Sequence, residues 1–230
     1  MTRHIFFDCD GVLIDSEILS FAVDERMLPE YGISLGAAEL ARTFGGVAYR
    51  EMVAELNARF GTEIDPAAYQ QQCEAELARL FATDLRAIAG MTELLGGLTV
   101  PFALASGSDL ARLDQCLSIT GLSEFFEGRI FSAQQVAHGK PAPDVFLLAA
   151  KTCGWEPESC LVIEDSPSGV IAAGAAGMRC VGFLGGAHRN AGDEGILRDA
   201  GAEYVAGSSA DLHRYLRELG LISRDRDGRG

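Results

Sequence analysis

The sequence predicts an α/β protein: a parallel sheet wound on both faces by helices, with a helical domain inserted near its start. Three observations predict it. Runs such as "FALAS" (102–106) and "CLVIED" (160–165) are almost continuously apolar, as expected of strands covered on both faces in a parallel sheet. From about residue 88 onward these runs alternate with helical segments, the pattern of a doubly wound, Rossmann-like core. Between Ser16 and Ala87 there is no strand signal, only helical periodicity.

The first strand candidate is Ile5–Asp8, and it runs straight into the acidic stretch "DCDGVLIDSE". The insertion follows, with "ILSFAVDERMLPEYG" and "YREMVAELNARFG" patterned as helices. "PAAYQQQCEAELARLF" continues it, Asp65 serving as N-cap and Pro66 as the first helical residue. Further strands are expected at Pro101–Ser106, Arg129–Ser132, Cys160–Glu164, Cys180–Leu184 and Glu203–Ala206. Helices are expected at Met91–Leu98, Leu110–Thr120, Pro143–Thr152, Ser168–Gly177, Ala191–Asp199 and Ala210–Glu218. The core is therefore discontinuous, 1–15 plus 88–230, with a cap domain at 16–87. The tail "SRDRDGRG" is expected to fray.

Composition narrows the class. A hydrophobic fraction of 48% over 230 residues supports a large core, and no stretch is long enough to span a membrane. The apolar N-terminal run, Ile5–Phe7, is too short for a signal peptide, so a cytoplasmic protein is expected. A net charge of −14 disfavours nucleic acid and anionic membranes as partners. The six cysteines are scattered without a Cys-x-x-Cys pair and read as buried, reduced thiols. Only two lysines occur, Lys140 and Lys151, which sets both apart from routine surface charge. A monomer is the simpler expectation.

Four polar clusters stand where strands run out: Asp8/Asp10, Ser106-Gly107-Ser108, Lys140 in "HGKPAPD", and Glu164-Asp165 in "VIEDSPSG". The carboxyl ends of parallel strands share one edge, so these clusters should converge. Each has a plainer reading on its own. Asp-x-Asp-Gly is often a turn, Glu164-Asp165-Ser166 could cap a helix, Ser106 could be a loop serine, and Lys140 could be solvated. Joint coincidence of all four plain readings is the weaker account. Carboxylates this close repel one another, so a bound cation or a reaction that needs them should compensate. Hard oxygen ligands with no nearby His or Cys suggest Mg²⁺.

At these residues the chain resembles the haloacid dehalogenase-like hydrolases, through "FFDCDGVLIDSE", "ALASGS", "HGKPAPDVF" and "VIEDSPSGVIAAGAAGM" in that order. It is most similar to their small phosphatases and β-phosphoglucomutase-like members. The resemblance implies that Asp8 is a nucleophile forming an aspartyl-phosphate and that Asp10 is the acid and then the base. It implies that Ser106, the adjoining Gly107 and Lys140 bind the phosphoryl group. Mg²⁺ would be held by the Asp8 carboxylate, the Asp10 backbone carbonyl, Glu164 and Asp165.

Within that family the acid at Asp10 argues against a dehalogenase, and the lysine-free cap excludes a Schiff-base phosphonate hydrolase. A mutase would be expected to carry a histidine at Ser20, a basic residue at Gly45 and an arginine at Tyr49 or Arg50, so a phosphatase is favoured. A catalytically silent binding protein on the same scaffold is the alternative of another class. The insertion carries twelve Asp/Glu against six Arg between Ser16 and Arg86, which favours a small monophosphate such as a sugar phosphate or phosphoglycolate. "FGGVAYR" (44–50) is the stretch expected to face the site. Arg50 is a candidate substrate ligand there, or else an ordinary exposed helix arginine.

Overall fold

A computed structural model describes residues 2–45, 47 and 49–223, so the tail expected to fray lies, apart from Ser223, outside the described residues. Six strands form one sheet: β1 (His4–Phe7), β2 (Phe102–Ser106), β3 (Ile130–Ser132), β4 (Cys160–Glu164), β5 (Arg179–Phe183) and β6 (Tyr204–Ala206). Their order is β3-β2-β1-β4-β5-β6, and every neighbouring pair is parallel. The α/β class read from the sequence is therefore the observed one. Winding runs outward from β1 to β3, then returns to β4 and outward the other way. This places the switch point, and the crevice it creates, at the carboxyl ends of β1 and β4.

Four helices lie between β1 and β2 before the last one leading to β2: α1 (Glu17–Met27), α2 (Ala37–Phe44), α3 (Tyr49–Phe60) and α4 (Pro66–Asp84). Then come α5 (Met91–Gly97), α6 (Leu110–Thr120), α7 (Asp144–Cys153), α8 (Pro167–Ala175), α9 (Glu194–Asp199) and α10 (Ser209–Glu218). The pleat divides the strand side chains between the two faces of the sheet. Ile5, Phe7, Leu104 and Ile163 pack in one cluster with Leu94, Leu113, Leu117, Leu212 and Leu216, and that cluster extends into α1–α4. Phe6, Ala103, Ala105 and Val162 pack in the other with Phe146, Ala149, Val170 and Ala173. Burial on both faces is why the strands read as unbroken apolar runs.

The two passages joining the helical segment to the sheet run side by side. Asp15 N donates to Arg86 O at 3.0 Å, Ile88 N donates to Leu13 O at 2.9 Å, and Ile14 bridges Ala87 antiparallel. Asp65 caps α4 by accepting from Ala68 N at 2.8 Å. Inside the segment Tyr69, fully buried, donates its hydroxyl to Asp24 Oδ1 at 2.8 Å, and Cys73 Sγ lies 3.6 Å from the same oxygen. All six cysteines are unpaired and five are buried. Lys151 differs from expectation: it is an exposed residue in the last turn of α7, where a cation suits the helix carbonyls. Among the described residues no helix is long and apolar enough to cross a membrane.

Burial raises the Asp24 carboxyl from 3.8 to about 6, against the lowering effect of the Tyr69 and Cys73 hydrogen bonds. A carboxyl raised on folding binds more protons folded than unfolded, so its charge costs stability as pH rises through 4 to 6. Asp24→Asn, whose amide oxygen still accepts from Tyr69, should therefore stabilise the protein above pH 6. The gain should vanish below about pH 4, as thermal melts of both proteins across that range would show.

Candidate active site

β1 stops at Phe7 because the backbone turns away from the sheet. Asp8 N still donates to Ile163 O at 3.0 Å, and Gly11 follows with φ +76°. Two reasons require glycine at position 11. A side chain rarely adopts that φ, and an added Cβ would lie 2.2 Å from Asp165 Oδ2. On the neighbouring strand, β4 delivers Glu164, fully buried, with Asp165 next. Ser166 does cap α8, accepting from Gly169 N at 3.1 Å, while also donating to Glu164 Oε2 at 2.9 Å. A Cβ on Gly169 would lie 1.8 Å from Glu164 Oε1, so this close approach of helix to carboxylate also needs glycine.

Lys140 reaches in from the loop after β3. Its Nζ donates to Asp8 Oδ1 at 2.5 Å, to Glu164 Oε1 at 2.6 Å and to Ala105 O at 3.1 Å. Burial alone would push this ammonium down, but Asp8 and Glu164 outweigh it and hold it above its ordinary value. Asp8 is pushed well up by burial and by the carboxylates of Glu164, Asp165 and Asp10, against the opposing pull of Lys140. Ser106, at the end of β2, is buried, and its Oγ accepts from Ser108 N at 3.1 Å. Gly107 beside it lines the same cavity, of about 350 Å³, with Asp8, Asp10 and Lys140.

Asp10 receives three donors: Ser16 Oγ at 2.5 Å, Ser108 Oγ at 2.6 Å and Arg112 Nη2 at 2.8 Å. Burial favours its neutral form, yet Arg112 and the two hydroxyls prevail and lower it. Glu17, at the first turn of α1, also lines the cavity, and burial with the nearby Asp10 and Asp165 charges pushes it up to about 7. Asp165 Oδ2 lies 3.0 Å from His188 Nε2 and 3.4 Å from Arg189 Nη2.

Asp8, Asp10, Ser106, Gly107, Lys140, Glu164 and Asp165 are thus brought together around one cavity. Arg50 is not: it is exposed on α3 and absent from the cavity lining. The guanidinium on the lining comes from Arg189, which sequence reasoning missed along with Arg112, Glu17 and His188. One signal existed for His188 and Arg189, since "LGGAHRN" (184–190) follows a strand and so emerges on the same sheet edge. Arg112 sits one turn beyond Asp109, the N-cap of α6, just after the Ser106–Ser108 cluster.

The donor set fits a divalent metal. Asp8, Glu164 and Asp165 each offer a carboxylate oxygen, and these oxygens lie within 4.8 Å of one another. All are hard ligands of the kind Mg²⁺ takes. Glu164 is already the most committed, with Lys140 on one oxygen and Ser166 on the other.

Sequence and structure comparisons agree with this architecture. The family model for haloacid dehalogenase-like hydrolases matches residues 2–177. The chain is 30% identical to a 6-phosphogluconate phosphatase of Escherichia coli K12, over 80% of its own length and 83% of that protein. It is 31% identical to a phosphorylated carbohydrates phosphatase of Thermotoga maritima, over 76% and 81% of the two chains. Among solved structures, a hydrolase of this family from Deinococcus radiodurans with bound phosphate and sodium superimposes with a TM-score of 0.83 at 34% identity, covering 96% of this chain and 98% of that one. On the match over residues 2–177 and these identities, the chain belongs to the haloacid dehalogenase-like hydrolase family.

Proposed function

We propose that this protein is a Mg²⁺-dependent phosphatase that hydrolyses a small phosphate monoester through an aspartyl-phosphate on Asp8. The observation that carries the reading is the Asp8 carboxylate, held 2.5 Å from the Lys140 ammonium beside two further carboxylates, on the lining of a 350 Å³ cavity. The names of the relatives point the same way, since both are phosphatases of phosphorylated sugars or sugar acids.

An anionic carboxylate attacks an anionic phosphoryl group only if their repulsion is offset. Lys140 offers one positive charge to that attack, and Ser106 and the Gly107 backbone offer hydrogen bonds to the phosphoryl oxygens. When bound, Mg²⁺ would supply further charge neutralisation and Lewis acidity at the phosphoryl oxygens. In the first step the Asp8 oxygen forms a bond to phosphorus and the ester oxygen leaves with the bonding electrons. That oxygen needs a proton, and Asp10, two residues along, is the group within reach. In the second step a water attacks the phosphoaspartate, Asp10 takes its proton, and phosphate and the Asp8 carboxylate are released. Asp10 as it stands, with three donors and a lowered affinity for protons, is prepared for the base step. Its acid role requires a substrate to displace some of those donors.

The helices of 16–87 act in this reading as the cap. With Arg112 of α6 they line a second cavity of about 270 Å³ that shares Glu17 with the first and is lined also by Asp24, Tyr49 and Gln70. Closure over the site excludes water other than the one Asp10 directs.

Two outcomes test the reading. Asp8→Asn should lower turnover of p-nitrophenyl phosphate by about 10³-fold or more, and excess chelator should remove wild-type activity reversibly. An Asp8→Asn variant as active as wild type would reject the nucleophile assignment. A pH signature is expected as well, because metal and proton compete for the same carboxylates. The Mg²⁺ concentration for half-maximal activity should rise as pH falls from 7.5 to 5.5. A constant value would separate Asp8 from the metal.

A further inference from the structure

The loop 184–190 brings a guanidinium into the catalytic cavity that the reaction above does not use. The Arg189 side chain is only 7% exposed, yet its ionic contact is the long 3.4 Å approach to Asp165 Oδ2. Its Nε has no hydrogen-bond partner, and neither does Nδ1 of the adjacent His188. A guanidinium carries five N–H donors in a plane, and leaving buried donors unpaired costs free energy.

The surroundings indicate what the spare donors face. Lys140 answers Asp8 and Glu164, and Arg112 answers Asp10. Asp165 Oδ2 is shared by His188 at 3.0 Å and Arg189 at 3.4 Å, and it is also one of the three carboxylates suited to the metal. A divalent ion on Asp165 would repel the guanidinium that shares its carboxylate, leaving Arg189 to another anion. Above Arg189 lies Gly45, at the C-terminal end of α2. A Cβ built there would lie 3.9 Å from Arg189 Nη1, so no cap side chain from this position screens the guanidinium. Below, Asp15 Oδ1 accepts from Ala187 N at 3.0 Å and holds the loop in place. Ser106 and Lys140, which line the same cavity, are the groups assigned above to the transferring phosphoryl group.

We propose that Arg189 binds a second anionic group of the substrate, a carboxylate on the part of the ester that departs. The inference rests on the phosphatase reading and narrows it to small phosphorylated acids over neutral sugar phosphates.

The experiment compares wild type, Arg189→Met and Arg189→Lys on 2-phosphoglycolate, on glycerol 3-phosphate as a neutral ester of similar size, and on p-nitrophenyl phosphate, with saturating Mg²⁺. The ratio of kcat/KM for the acid over the neutral ester should fall about 10- to 100-fold in Arg189→Met, chiefly through KM, and recover in part in Arg189→Lys. A parallel titration of 2-phosphoglycolate into Asp8→Asn and Asp8→Asn/Arg189→Met, followed by calorimetry, should show the same loss in affinity. An equal loss on all three esters would assign Arg189 to Asp165 or the transferred phosphoryl group and overturn the proposal, as would an unchanged ratio. Wild type inactive on every ester would reject the phosphatase reading instead, and the calorimetric pair would still decide on Arg189.

Discussion

The site depends on one ammonium. Taking several carboxylates out of water costs several kcal/mol each, and their mutual repulsion adds to it. Lys140 meets two of them at once, Asp8 and Glu164, and anchors itself on Ala105 O, so a single side chain ties together the ends of β1, β2 and β4. The pattern repeats around the cavity: Arg112 with Asp10, and Arg189 at Asp165, whose Oδ2 also meets the His188 ring. Protein cations thus stand at each acid of the cluster, and the acids can remain close without distorting the strand ends that carry them. The same arrangement explains why the sheet ends abruptly there. The backbone after Phe7 must turn so that Asp8 and Asp10 face inward, and Gly11 supplies the conformation and the space.

Much of this was legible in the sequence, for definite physical reasons. A parallel sheet buried on both faces leaves unbroken apolar runs, and its topology gathers strand ends on one edge, so Asp8, Ser106, Lys140 and Glu164-Asp165 could be placed together from spacing alone. The order of the motifs then carried the family. What spacing does not reveal is the reach of long side chains. Seventeen arginines are spread over the chain, and position near a strand end marks Arg112 and Arg189 only once the reach of their side chains is seen, whereas Arg50 points to solvent. Partners across the helical segment were equally hidden. Asp24 and Tyr69 are 45 positions apart, and only the packing of α1 on α4 makes their hydrogen bond visible. Lys151 shows the opposite error, since rarity in composition made an ordinary helix-end cation look special.

The helical segment is not merely appended to the sheet. Its apolar residues belong to the same cluster as one face of the sheet, and Arg112 of α6 stacks over Phe81 of α4 at 5.2 Å while holding Asp10. A residue that pairs with Asp10 therefore also forms part of the contact between the helical segment and the sheet. Packing of the helical segment and charge at Asp10 are not independent quantities in this molecule.

Three consecutive residues at the exit from the sheet carry that coupling further. Asp15 pairs with the backbone of both Arg86 and Ala187, Ser16 donates to Asp10, and Glu17 lines both cavities as α1 begins. Any rotation of α1 about this point must lengthen or shorten the Ser16–Asp10 contact, and so change how firmly Asp10 holds a proton. Linkage makes the relation mutual: a proton gained or lost at Asp10 shifts the orientation that α1 prefers. The joint between the two parts of the chain is in this sense an acid–base element as well as a mechanical one.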